Sequence, residues 1–244
     1  MRKKKHRFEI VLLIALSSLT TIWGSFALYC GFYYQATPEA KTALVSQDGV
    51  KVTQEKWLYS FVPETSLSLS YVFYPGGKVA AEAYAPFCLA LAKKGNPVYL
   101  CVMPFNLAFF DDGAASRIIG KKASSAWVLI GHSLGGAFAG EYAAQNASKL
   151  KGVVFLASYT AKDLSATSLT SLSIYGSEDG VMDRSKYQKY ATNLPANRHE
   201  MLIQGGNHAS FGMYGKQSGD GEAKITSAEQ IRQSVDAISL IRWN

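Results

Sequence analysis

The chain has 244 residues, and 48% of them are apolar, which is enough for one domain of ordinary size with a sizeable core. Its formal net charge of +7 is concentrated at the N-terminus, because five of the 25 basic residues lie in the first seven positions. The other 20 basic and 18 acidic residues leave a balance of +2, which argues against nucleic acid as a partner.

The first predicted element is a membrane-spanning helix. Residues 10–34 form an uncharged stretch of 25 residues, IVLLIALSSLTTIWGSFALYCGFYY, and about 20 such residues span a bilayer. The basic residues that precede it favour the cytoplasmic side. We therefore expect a cytoplasmic tail over residues 1–9, a single transmembrane anchor over 10–34, and a catalytic domain on the outer side of the cell membrane. A cleaved signal sequence is the alternative, although its apolar core is usually about 7–15 residues long and a small-x-small cleavage site follows it.

Residues 35–56 are polar, with one proline and an Asp48-Gly49 turn signal, and are expected to form a short stalk and domain entry that leads into a first hairpin. The catalytic domain is expected over residues 57–244. Beyond residue 56, apolar β-rich segments alternate with segments of helical composition. The expected strands are 67–74, 97–103, 126–131, 152–158, 171–176 and 199–204, and the expected helices are 81–94, 134–147 and 183–193. This alternation predicts an α/β fold of three layers, in which helices cover both faces of a mostly parallel sheet.

A last helix is marked by a capping-box spacing between Ser227 and Gln230, followed by apolar residues at 231, 235 and 238. Three cysteines without paired spacing indicate neither a metal site nor a disulfide framework. Cys88 and Cys101 are expected to be buried thiols, and a disulfide between them is the alternative outside the cell.

Residues 131–135 read GHSLG and satisfy the G-x-S-x-G pattern around Ser133. A predicted strand precedes this motif and a predicted helix follows it, so the chain must turn sharply at Ser133. Glycine on both sides allows the neighbouring strand and helix to approach closely, and the free amides of a helix N-terminus favour a developing negative charge. The motif predicts a nucleophilic serine, whereas a solvated serine in a tight turn is the structural alternative.

A serine nucleophile needs a base, and the base needs an orienting acid. Of the four histidines, His208 lies beyond a predicted strand end, in IQGGNHASFG, and is the expected base. Asp179 follows the predicted strand 171–176 and is the expected acid, with Glu178 and Asp183 as weaker competitors. The chain order serine, aspartate, histidine is that of α/β-hydrolases.

The oxyanion of an acyl-transfer reaction requires backbone donors. The Leu134 amide, directly after the nucleophile, is one candidate. The second lies in the turn 75–78, PGGK, for which we expect the Gly77 amide, with Lys78 as the alternative.

From about residue 57 to the C-terminus, the segments FYPGGKV, IGHSLGGAFA, SIYGSEDG and GGNHASFGMYGKQSGDGEA resemble the α/β-hydrolase superfamily. They are most similar to its small, capless branch related to dienelactone hydrolases, often called the α/β-hydrolase fold-5 group. The resemblance implies a serine hydrolase, although Ser133 replaces the cysteine nucleophile of true dienelactone hydrolases. Within the glycine-rich run 211–222, Asp220 and Glu222 either cap turns or shape the rim of the cleft.

Only 17 residues separate Val154 from Leu172, which leaves no room for a separate cap domain. The predicted function is therefore a membrane-anchored hydrolase of small-molecule or lipid-like carboxylic esters that uses neither a metal ion nor an organic cofactor. An acyltransferase with the same triad is one alternative, and a non-catalytic binding module on a hydrolase scaffold is the other.

Overall fold

The structure is a computed structural model that describes residues 2–243, except for the side chains of residues 2–8 and of residue 12. It divides into two units, Met1–Tyr33 and Tyr34–Asn244. The first unit contains helix α1 (Arg2–Gly31), and its part Glu9–Gly31 is long and apolar enough to cross a membrane. A signal sequence would meet the same test. The side chains of the expected basic tail lie almost entirely outside the described residues.

The second unit is built on one sheet of eight strands within residues 34–243. The strands are β1 (Val50–Glu55), β2 (Leu58–Pro63), β3 (Leu69–Tyr74), β4 (Val98–Cys101), β5 (Ala126–His132), β6 (Gly152–Leu156), β7 (Thr170–Gly176) and β8 (Asn197–Ile203). Their spatial order is β1-β2-β4-β3-β5-β6-β7-β8. The first two strands pair antiparallel, and β2 pairs antiparallel with β4. All other pairs are parallel.

Helices cover both faces of this sheet. They are α2 (Pro38–Thr42), α3 (Ala85–Ala92), α4 (Ala114–Ile119), α5 (Leu134–Gln145), α6 (Arg184–Tyr190) and α7 (Ser227–Leu240). Side chains along each strand alternate between the two faces, so that Phe73 belongs to the core shared with α3 and α7. Its neighbour Tyr74 belongs to the core shared with α4 and α5. The expected three-layer α/β architecture is confirmed.

Residues 35–56 are the segment expected as a stalk and domain entry. This segment belongs to the compact unit: Thr37 N donates to Met213 O at 2.9 Å, and β1 pairs with β2 along six residues. The segment is polar because β1 is an edge strand with mostly exposed side chains. The folded unit therefore begins at Tyr34 rather than at residue 57.

Smaller differences concern element ends. The expected helix 81–94 is a 3₁₀ turn, Ala81–Tyr84, followed by α3, and the expected helix 183–193 is α6 followed by a 3₁₀ turn. Helix α7 is capped by Thr226, whose hydroxyl accepts from Glu229 N at 3.2 Å, and not by Ser227. Cys88 and Cys101 are free, buried thiols, and they lie in the two different cores.

Candidate active site

Ser133 occupies a sharp turn between β5 and α5. Its backbone has φ 51° and ψ −121°, a conformation that costs an L-residue roughly 1–3 kcal/mol. The turn is fixed on both sides, because Ser133 N donates to Leu156 O at 2.9 Å and Ser158 Oγ donates to Ser133 O at 2.7 Å. The strained residue is therefore held by the end of the neighbouring strand β6.

The glycines of the motif are required by close backbone approaches. A Cβ atom at Gly131 would lie 2.4 Å from Gly136 Cα, and one at Gly135 would lie 2.2 Å from Pro75 O. Both distances are far shorter than a van der Waals contact. The absence of side chains at Gly131 and Gly135 lets α5 start directly against β5 and against the loop that follows β3.

His208 and Asp179 form a buried pair. Nδ1 of His208 lies 3.1 Å from Oδ2 of Asp179, and their side chains are 2% and 0% exposed. The other carboxylate oxygen of Asp179 accepts from Val181 N at 2.9 Å and from Met182 N at 2.8 Å. The amides of its own turn thus orient the carboxylate, independently of its hydrogen bond with the imidazole.

The electrostatics keep Asp179 ionised. Burial alone would raise the pKa of Asp179, but the hydrogen bond and charge interaction with His208 and the amides of Met182 and Val181 outweigh it. The net result is a lowered pKa. An ionised acid that accepts from Nδ1 leaves Nε2 of His208 as the basic nitrogen.

The two competing carboxylates have hydrogen-bond partners other than His208. Glu178 accepts from Lys224 Nζ and from Ser177 Oγ, each at 2.9 Å. Asp183 caps α6 and accepts from Lys186 N at 3.0 Å.

Ser133 and His208 line one cavity of about 380 Å³. Nε2 of His208 is buried and makes no hydrogen bond with any other described residue. The rest of the lining consists of Leu134, Ala137, Ala157, Ser158, Tyr159, Val181, Met182, Asp183 and Lys186. A mainly apolar cavity that contains a serine and a histidine suits acyl chemistry.

The turn after β3 supplies the second candidate oxyanion donor. Gly76 N donates to Tyr84 Oη at 3.1 Å and Lys78 N donates to Asn106 O at 2.7 Å, so both of these amides are occupied. No hydrogen bond of the Gly77 or Leu134 amide is found within residues 2–243. Gly77 also abuts Leu134, since a Cβ atom at Gly77 would lie 2.7 Å from Leu134 Cδ2. This pattern favours Gly77 over the alternative Lys78.

His132, which the sequence placed beside the nucleophile without a role, connects three parts of the site. Its Nδ1 lies 2.7 Å from Tyr84 Oη, and its Nε2 lies 3.1 Å from the carbonyl oxygen of His208. Because a carbonyl only accepts, Nε2 carries the proton and Nδ1 accepts from the tyrosine hydroxyl. Burial, and secondly the proximity of His208, hold the pKa of His132 well below its ordinary value of 6.5.

A protein-family model matches residues 70–232, which is more than half of the chain, and its description is the alpha/beta hydrolase family. This chain is an α/β hydrolase. The hydrolase has no separate cap, since residues 157–169, between β6 and β7, contain neither helix nor strand. Within residues 2–243, no group of three or more His, Cys, Asp or Glu side chains is placed to hold a metal ion.

Solved structures resemble this hydrolase in fold. A CIB-like hydrolase from Thermoplasma acidophilum has a TM-score of 0.61 and 15% identity, over 79% of this chain and 100% of the other. A monoacylglycerol lipase from Paleococcus ferrophilus has a TM-score of 0.60 and 15% identity, over 76% and 99%. A dienelactone hydrolase from Anabaena variabilis has a TM-score of 0.57 and 15% identity, over 79% and 96%. No curated protein sequence matches the chain.

Proposed function

We propose that the protein is a serine hydrolase that cleaves carboxylic esters through an acyl-enzyme on Ser133. The observation that carries the proposal is the His208 ring, which is oriented by buried Asp179 and lines the same cavity as Ser133 at a strained strand-to-helix turn. The matching family model is that of the alpha/beta hydrolase family, and the structural neighbours include a lipase and a carboxylesterase.

The reaction proceeds in two stages. Nε2 of His208 takes the proton of the Ser133 hydroxyl as its oxygen attacks the ester carbonyl, and the amides of Leu134 and Gly77 stabilise the oxyanion. The imidazolium then gives its proton to the leaving alcohol, and the acyl group remains on Ser133. A water molecule, deprotonated by the same imidazole, releases the acid and restores the serine. Asp179 stays ionised throughout and stabilises the imidazolium.

The size and lining of the cavity support a proposal for the substrate class. Its volume of about 380 Å³ lies near the lower end of the range of about 300–1,000 Å³ that is usual for small-molecule sites. The side chains of Leu134, Tyr159 and Met182 provide an apolar lining for an acyl or alcohol group. We therefore propose small or lipid-like esters as substrates.

The decisive experiment is the substitution Ser133→Ala in the full-length protein. We expect it to abolish labelling by a fluorophosphonate and hydrolysis of a short-chain p-nitrophenyl ester, because both require the Ser133 oxygen. Circular dichroism should stay unchanged, since alanine keeps the same Cβ atom in the turn. Ser165→Ala, at an exposed position, is the matched control and should keep both activities. Full labelling of Ser133→Ala would refute the proposed function.

We propose further that α1 is retained as a single-pass anchor and that the catalytic unit lies outside the cytoplasm. The apolar part Glu9–Gly31 has the length of a membrane span, and basic residues precede it in the sequence. The mature protein should therefore have the mass of the uncleaved chain and resist extraction by alkaline carbonate. Protease added to intact cells should remove the catalytic unit. If the unit is protected while an external control protein is cleaved, the orientation is opposite to the one proposed.

A further inference from the structure

The glycine-rich run contains a segment, residues 215–222, that packs directly on the loop carrying Asp179. A Cβ atom at Gly180 would lie 2.6 Å from Gly219 O, and one at Gly221 would lie 2.0 Å from Glu178 O. Both distances are impossible for real side chains, so the two backbones touch. The segment 215–222 thus packs against the acid loop, residues 177–183, which carries Asp179. The histidine loop, residues 204–208, carries His208.

Asp220 lies at the centre of this contact and accepts from four backbone amides. Its Oδ1 accepts from Gly180 N at 3.1 Å, from His208 N at 3.2 Å and from Gly221 N at 2.9 Å. Its Oδ2 accepts from Ala209 N at 2.8 Å. Hydrogen bonds from amides to an ionised carboxylate are among the stronger ones in proteins.

Three of the four amides bound by Asp220 lie in, or directly after, the two loops whose spacing matters for the proposed chemistry. Gly180 directly follows Asp179, and two further amides are those of His208 itself and of Ala209, the residue after it. The fourth is the amide of Gly221, next to Asp220. One carboxylate therefore joins the acid loop to the histidine loop. The Asp179–His208 hydrogen bond connects the same two loops through their side chains.

The opposite flank of the histidine loop is fixed independently. Buried Gln230 of α7 exchanges two hydrogen bonds with the backbone of Asn207: Asn207 N donates to Gln230 Oε1 at 3.0 Å, and Gln230 Nε2 donates to Asn207 O at 2.8 Å. The Asn207 side chain then donates to Gly221 O at 2.8 Å. The His208 backbone is thus secured from both sides, and Asp220 also reaches the acid loop. A backbone hydrogen bond from Glu178 N to Gly206 O, at 2.8 Å, joins the same two loops before His208.

We infer that Asp220 is a positioning residue that sets the distance between Asp179 and His208. This inference rests on the proposed function. A misplacement of about 1 Å in a catalytic group costs up to about 10²-fold in rate, so the loss of Asp220 should lower turnover without changing the substrate cavity. Asp220 does not line the cavity shared by Ser133 and His208, which is why KM should stay the same.

The test compares three variants of the full-length protein in detergent, with kcat expressed per fluorophosphonate-reactive site. Asp220→Ala removes all four acceptor contacts and should lower kcat at least about tenfold with KM unchanged within about twofold. Asp220→Asn keeps one acceptor oxygen, so its kcat should fall less. If the alanine variant does not fold, the asparagine variant is used for the test. Glu222→Gln is the control, because Glu222 is 87% exposed and should keep full turnover.

A second readout does not depend on catalysis. The proton between His208 Nδ1 and Asp179 should give a low-field proton resonance, which should be absent from Asp179→Asn and shifted or lost in the Asp220 variants, but unchanged in Glu222→Gln. Wild-type turnover per site in both Asp220 variants, an unchanged resonance in them, or no such resonance in the wild type would each overturn the inference. If the wild type neither hydrolyses esters nor reacts with a fluorophosphonate, the proposed function fails, and the resonance alone decides the role of Asp220.

Discussion

Adjacent carboxylates have different surroundings in this site. The Asp179 side chain is fully buried against His208, whereas the Glu178 side chain is 27% exposed and pairs with Lys224 Nζ at 2.9 Å. Since the two residues are neighbours in the sequence, their different surroundings depend on the turn after β7. The amides of Val181 and Met182 orient only Asp179. Local hydrogen bonding thus favours one of two chemically similar residues as the acid.

Replacing this acid by its amide should slow turnover rather than weaken substrate binding. In a serine protease the same change costs about 10⁴ in kcat. We expect Asp179→Asn to lower kcat by at least roughly 10²-fold, about 2.7 kcal/mol of transition-state stabilisation, with KM little changed. The measurement is steady-state hydrolysis of one short-chain ester.

Glu178→Gln is the matched control for this change. The Glu178 carboxylate bonds Lys224 and Ser177 and lies outside the pair formed by His208, so its loss should cost less than about tenfold. If Glu178→Gln lost most of its turnover while Asp179→Asn kept nearly the wild-type kcat, the acid would be misassigned.

At the scale of elements, the junction of β5 and α5 depends on backbone contact. Because a Cβ atom at Gly131 would lie 2.4 Å from Gly136 Cα, Gly131→Ala must push the helix away from the strand. We expect a loss of about 1–3 kcal/mol or more in the free energy of unfolding, together with lower turnover as Ser133 moves. Urea denaturation followed by tryptophan fluorescence measures the first effect, and ester hydrolysis the second.

The control for this substitution is Gly113→Ala. A Cβ atom at Gly113 would have nothing within 4 Å, and its φ of −81° is accessible to any residue. We expect a change within about 0.5 kcal/mol there, as at other unconstrained positions. An equal loss in the two variants would mean that the alanine residue itself, rather than the contact at the turn, causes the effect.

Burial explains which elements the sequence predicts well and which it does not. The sequence predicts the central strands because both of their faces are buried, so that each strand is a continuous apolar run. Strand β1 lies at the sheet edge with mostly exposed side chains, so its sequence resembles a linker. The observed cap of α7 is Thr226, one residue before the predicted Ser227, because the hydroxyls of adjacent threonine and serine can both accept the capping hydrogen bond.

The residues of the candidate site likewise differ in how clearly the sequence indicates them. A local motif marks Ser133, and positions after strand ends mark Asp179 and His208, which the structure brings within 3.1 Å of each other. Their catalytic roles remain predictions. The contacts of His132 with Tyr84 and with the His208 carbonyl join residues 48 and 76 positions apart, and no local pattern indicates them.

At the scale of the whole molecule, we expect His132 to link folding stability to pH. Gly76 N donates to Tyr84 Oη, the tyrosine hydroxyl donates to Nδ1 of His132, and Nε2 donates to the carbonyl of His208. This buried chain joins the turn after β3, the nucleophile turn and the histidine loop. It requires a neutral imidazole, and burial lowers the pKa of His132 accordingly.

The direction of the pH effect follows from that lowered pKa. Below the ordinary value of 6.5, the unfolded chain binds a proton at His132 that the folded chain does not bind. Stability contributed by the neutral ring is therefore complete above this pH and is lost as the pH falls, by up to about 1.4 kcal/mol per pH unit. We expect the free energy of unfolding in urea to decline in this way between about pH 6.5 and pH 5, above the range in which carboxylates titrate.

His132→Gln should flatten this decline, because glutamine has no titrating group, even though the variant is less stable at neutral pH. His199→Gln is the matched control: His199 lies exposed on β8 and should leave the slope unchanged. The comparison is made on the full-length protein in detergent, with urea curves at each pH followed by tryptophan fluorescence. An identical slope in His132→Gln and the wild type would contradict the prediction, because the pH dependence would then arise from another group.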